Sequence, residues 1–113
     1  MVVYRALRGA TTVSTSDPIP IDGVNVTLFL ELLFGTTVTL ALEGSFDGLN
    51  WERIVIIDDN DITQAKVLTK TYTVGAVQSL AKANNSYYPF YRVNITAITG
   101  VTVDAWIGGS TYS

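Results

Sequence analysis

From Val24 to Phe34 every even-numbered residue is apolar (Val24, Val26, Leu28, Leu30, Leu32, Phe34), while the odd positions mix Asn25, Thr27, Phe29, Glu31 and Leu33. A period of two describes an extended strand that sends alternate side chains into a core, and a helix cannot present one apolar face at that spacing. The parity continues through Val38, Leu40 and Leu42, which alternate with Thr37, Thr39, Ala41 and Glu43. Directly opposed residues of an antiparallel pair point the same way. The two segments are therefore expected to form a hairpin, with Phe34 facing Val38, Leu32 facing Leu40 and Leu30 facing Leu42 around a loop of Gly35, Thr36 and Thr37.

The C-terminal region reads in the same manner. Tyr91, Val93, Ile95 and Ala97 form one apolar row and Val101, Val103, Ala105 and Ile107 another, with Ile98, Thr99 and Gly100 between them. Glycine in the last loop position suits the left-handed residue of a three-residue hairpin. Further strands are expected at Val2 to Leu7, Thr11 to Thr15, Trp51 to Ile57 and Lys70 to Val74, with a short strand or a helical turn at Val77 to Ala81. Asp17-Pro18-Ile19-Pro20 is expected to be an extended connector, because proline restricts both itself and the residue before it. About eight or nine short strands separated by turn residues predict an all-β, antiparallel β-sandwich of jelly-roll type. The 113 residues suit a single domain, 1–113, in which 1–20 forms an N-terminal arm or edge strands.

Composition narrows the chemistry. The chain contains neither histidine nor cysteine, which removes the commonest general base, the usual triad member, thiolate nucleophiles and the most frequent metal ligands. Ten acidic residues offer many carboxylate pairs, but no spacing selects one for glycoside hydrolysis. No catalytic residue, metal or cofactor is expected. The seven basic residues are scattered and the net charge is −3, so duplex nucleic acid is not an expected partner. The longest apolar stretch, Leu28 to Leu42, is broken by Glu31, Gly35 and three threonines and is too short to span a bilayer, and the N-terminus has no secretory pattern. Asp58, Asp59, Asn60 and Asp61 lack the alternating spacing, central glycine and distal glutamate of a calcium loop and are expected to be an exposed acidic loop. The sequons at Asn25, Asn84 and Asn94 are read as chance matches.

The most informative motif is Ser45-Phe46-Asp47-Gly48-Leu49-Asn50-Trp51. An aspartate that accepts backbone N–H groups two and three residues on, followed by a glycine free to take positive φ, builds a tight turn, and Trp51 opens the next strand. The motif is similar to the Asp-box hairpin of sialidases, although one residue shorter. It more closely resembles the S-x-D-G-x-x-W hairpin of discoidin-like domains and of many small bacteriophage virion proteins. The order of strand, hairpin and C-terminal strand pair over residues 24–107 also resembles β-sandwich modules of phage head-decoration, head-fibre and tail-associated proteins. That resemblance implies a structural protein on the outer surface of a virion. Its partners would be further copies of itself, with a trimer favoured, and the major capsid protein or another virion component. The alternative reading is a carbohydrate-binding or adhesin module. Candidate interface residues are Phe29 and Leu33, on the face opposite the even-numbered row, together with Arg92 and Trp106, which the expected C-terminal hairpin would place opposite one another.

Overall fold

In the computed structural model, which describes residues 2–21, 25–33, 36–58, 61–73, 77–84 and 86–110, the chain passes through twelve strands. They are β1 (Val2–Ala10), β2 (Ser14–Thr15), β3 (Ile19–Pro20), β4 (Asn25–Leu33), β5 (Thr37–Ser45), β6 (Glu52–Arg53), β7 (Ile56–Asp58), β8 (Lys66–Val67), β9 (Lys70–Tyr72), β10 (Val77–Lys82), β11 (Phe90–Thr99) and β12 (Thr102–Ser110). There is no helix among the described residues. One antiparallel sheet has the order β1-β12-β4-β10-β7-β8; the other has β2-β11-β5-β6, with β3 also on β11 and β9 also on β5. The fold is an all-β antiparallel sandwich, and from β4 onward the chain repeatedly crosses from one sheet to the other.

The strand count exceeds the expected eight or nine because one expected strand is divided and two short segments not expected as strands, β3 and β8, join the sheets. Within Trp51 to Ile57, Glu52 and Arg53 pair with β5, after which the N–H of Ile54 donates to the carbonyl of Leu42 at 2.9 Å and the chain crosses to join β10 as β7. Ile19–Pro20, expected to be only a connector, pairs with Phe90 and Tyr91.

Both expected hairpins are replaced by a different pairing. β4 pairs with β12, setting Leu32 beside Val103 and Phe29 beside Trp106. β5 pairs with β11, setting Leu42 beside Val93 and Leu40 beside Ile95. Between β4 and β5, and between β11 and β12, the chain thus arches from one sheet to the other instead of closing a hairpin. The expected partner Phe34 and the loop residue Gly35 lie outside the described residues. Gly100 does take the left-handed conformation, φ 69°, and the N–H of Thr36 donates to Thr99 at 3.0 Å, which ties one arch to the other.

The even row of β4 (Val26, Leu28, Leu30, Leu32) meets Val38, Leu40 and Leu42 across the core instead of alongside them, and all seven are at most 2% exposed. Val93 and Ile95 join them, but the register breaks between Ile95 and Ala97. This bulge turns Ala97 outward, against expectation, and Ile98 toward the core. Two close approaches fix the packing at one end. A Cβ at Gly44 would lie 2.6 Å from the Tyr88 ring, and one at Gly109 would lie 2.1 Å from Ile21.

Candidate functional site

The Ser45–Trp51 turn is built as its sequence demands. One carboxylate oxygen of Asp47 accepts the N–H groups of Leu49 and Asn50, both at 2.8 Å, and the other accepts the Asn50 side-chain amide at 2.7 Å. The Ser45 hydroxyl donates to Asp47 at 3.0 Å and accepts the N–H of Gly48 at 2.8 Å. Gly48 takes φ 76°, which a Cβ would strain. The turn holds Phe46 and Leu49, 68% and 82% exposed, on a rigid tip.

The Asn50 and Leu49 N–H groups, followed by the Asn50 and Ser45 side chains, hold the Asp47 carboxyl well below the usual carboxylate range. A depressed folded-state value means that the contribution of Asp47 to stability is present above its unfolded value of about 4 and is lost as pH falls toward the folded value. The Leu49 and Asn50 amide resonances should therefore stay constant as pH is lowered through 4 and move only in stronger acid. Titration of these resonances at the ordinary carboxylate value would overturn this assignment.

Trp51 leads from the turn to the outer face of the β5–β11 sheet. There the Arg92 guanidinium lies 4.3 Å from the indole centroid. The same guanidinium donates to Glu43 Oε1 at 2.7 Å, while Asn94 donates to Oε2 at 3.1 Å and Arg53 stands 3.8 Å from Oε2. Glu43 is only 6% exposed, so its charge is shielded from water and matched by these donors. Arg92 is therefore not opposite Trp106, as the hairpin reading expected; the two residues lie on different sheets. Trp51 itself is half-buried. Trp51→Ala should cost about 1–2 kcal/mol, the value of a partly buried side chain and its stacked cation, rather than the 3–5 kcal/mol of a fully buried indole. Chemical denaturation measures it, and a loss in the higher range would show that the indole is core.

The outer face of the other sheet brings Phe29 and Trp106 together as direct neighbours across β4 and β12. Arg5 lies 4.9 Å from the Trp106 ring centroid and forms an ion pair with Asp104. The N–H of Gly9, ahead of Arg5, holds the Asp104 carboxyl below its ordinary value. Leu33, 40% exposed, sits farther along β4, and Val77, 74% exposed, stands beside Glu31 on β10. Of the four candidate interface residues, Phe29, Trp106 and Leu33 thus share one face and Arg92 occupies the other.

Asp58 departs from the exposed acidic loop. It is 5% exposed and accepts a hydrogen bond from Tyr72 at 2.8 Å, with Lys70 at 3.8 Å. Asp59 and Asn60 lie outside the described residues. Asp61 accepts the N–H and hydroxyl of Thr63 at 2.9 and 2.7 Å, bonds that depress its pKa. No group of three or more potential metal ligands occurs among the described residues.

A groove of about 320 Å³ opens between β1 and β3, lined by Val2, Tyr4, Pro20, Ile21, Tyr87 and Pro89. Side-chain alternation along a strand gives no sign of it, because its walls belong to different sheets. The clustering of tyrosine and proline at 87–89 is the only local signal.

No family model and no curated protein matches the chain. Among solved structures it is similar to the SPBc2 prophage-derived protein YomS, with a TM-score of 0.70 at 10% identity over 94% of this chain and 89% of that one. The chain therefore has the fold of a prophage-derived protein.

Proposed function

We propose that the protein is a non-enzymatic structural component of a phage particle, one that self-associates and docks on the outer surface of a capsid or on another virion protein. The likeness in fold to a prophage-derived protein over nearly the whole chain carries this reading. The distribution of chemistry supports it. Glu43, Asp47, Asp58, Asp61 and Asp104 are all engaged in hydrogen bonds within the fold, leaving each of them committed to structure. Apolar and aromatic side chains are instead displayed at Phe46, Leu49, Val77 and the β1 edge, the residue types that protein interfaces use. The net charge of −3 suits an outer position, away from the packaged genome.

The carbohydrate-binding alternative gains no support from the tryptophans. A guanidinium lies over one face of each indole, Arg92 over Trp51 and Arg5 over Trp106, and so occupies a face on which a sugar ring could lie. Light scattering of the purified chain followed by cosedimentation with empty shells tests the reading. A stable oligomer that pellets with shells is the expected result. A monomer at high concentration that stays in the supernatant would overturn it.

A further inference from the structure

Exposed strand edges invite pairing with other chains, and proteins blunt them with short length, charge, proline or bulges. Here the borders are blunted unequally. β8 is two residues long and carries Lys66; β6 is Glu52–Arg53; β2 and β3 have two residues each, and β3 ends in Pro20; β9 has three. β1 has nine. Its second half is broken by register shifts between Arg5 and Leu7 and between Leu7 and Ala10, with Gly9 at φ 59°. Its first half is unprotected. Val2 to Arg5 stays in unbroken register with Gly109 to Trp106, and Val2, Val3 and Tyr4 are 57%, 50% and 42% exposed. Among the described residues nothing pairs with its other side. Arg5, the charge on this half, is already bound to Asp104 on the outer face.

The geometry points to this half of β1 as a self-pairing edge, at which two copies meet antiparallel about a two-fold axis near Tyr4 and join their six-stranded sheets into one. The occupant is a second copy because a continuous ladder needs a partner edge of similar length, and β1 is the long open edge that this chain offers. Centring on Tyr4 sets Arg5 opposite Val3 of the second copy, so no like charges face each other. Tyr4, which walls the groove with Val2, would be covered by Tyr4 of the second copy, and Val2 by its Ala6. Half-exposed Tyr4 and Tyr87 with the two valines supply on the order of 300–400 Å² of exposed surface per copy. With the two backbone strips added, the pair approaches the roughly 1,200 Å² at which stable interfaces begin.

This inference rests on the self-association proposed above and gives it two-fold symmetry in place of a trimer. Sedimentation equilibrium should find a dimer of the 12.2 kDa chain. Tyr4→Lys, which sets two cations together, should weaken it by at least about tenfold, while Ile62→Lys, at a 97% exposed position between β7 and β8 on the far border of the same sheet, leaves it unchanged. Hydrogen exchange of the wild type supplies a measure independent of variants: the β1 amides that point away from β12 should be protected in concentrated solution and lose protection on dilution. A trimer, or a dimer indifferent to Tyr4→Lys with those amides unprotected, would overturn the edge pairing and leave self-association standing. A monomer would overturn both, and those amides protected in that monomer only by added shells would assign the edge to a shell protein instead.

Discussion

Tyr91→Ala is expected to destabilise the protein by about 3–5 kcal/mol, the range for emptying a large buried aromatic site. Tyr91 is fully buried. Its ring meets Tyr88 edge-on at 5.9 Å, its hydroxyl accepts the Tyr88 N–H at 3.4 Å, and Tyr88 in turn packs against Phe46 at 5.2 Å and donates to Glu52 at 2.5 Å. Gly44, opposite Tyr91 on β5, is bare because the Tyr88 ring occupies the space of its side chain. Truncation would therefore leave a cavity beneath the Ser45–Trp51 turn as well as in the core. The thermal midpoint should fall on the order of 15 °C. Tyr91→Phe, which keeps the ring and loses one long hydrogen bond, should cost less than about 1 kcal/mol. Equal midpoints for Tyr91→Ala and wild type would show that this stack does not support the fold.

Arg92→Met should cost about 2–3 kcal/mol, because it leaves Glu43 buried with only Asn94 and the more distant Arg53 to compensate its charge. The loss is below that of a fully isolated ion for the same reason. It also uncovers one face of Trp51. A second change, Glu43→Met, removes the stranded carboxylate and should recover most of the loss, since replacing both members of a buried pair by apolar groups is close to neutral. Denaturant midpoints of the single and double variants measure the coupling. Additive losses would mean that the two residues act independently.

The rows that build the core were legible in the sequence, whereas the partner of each row was not. Alternation reports which side chains turn inward and carries no information on whether the next strand continues the same sheet or faces it across the core. Val38, Leu40 and Leu42 satisfy the pattern equally as neighbours of β4 or as its opposite wall. The missing signal lay in the short joints that follow β4 and β11, whose residues suit a hairpin and an arch alike. The Ser45–Trp51 turn was legible because its contacts are local, each donor lying within three residues of its acceptor. The Arg92–Glu43–Trp51 cluster was not, because it depends on the pairing of β5 with β11. The same error placed Arg92 against Trp106. The groove beneath β1 required knowledge of both sheets.

The arches have a consequence for how the chain reaches this structure. β5 finds its main partner some fifty residues later in β11, and β4 finds β12 at a still greater separation. Little native structure can form before distant segments meet, so the entropy of closing long loops is lost before pairing compensates it. Folding is expected on the slow side for a chain of this size, in milliseconds to seconds. During that interval the first half of β1 has not yet been placed, and newly made copies at high local concentration could pair through it prematurely. Slow maturation followed by infrequent unfolding would suit the structural role proposed above, in which a part is assembled once and kept.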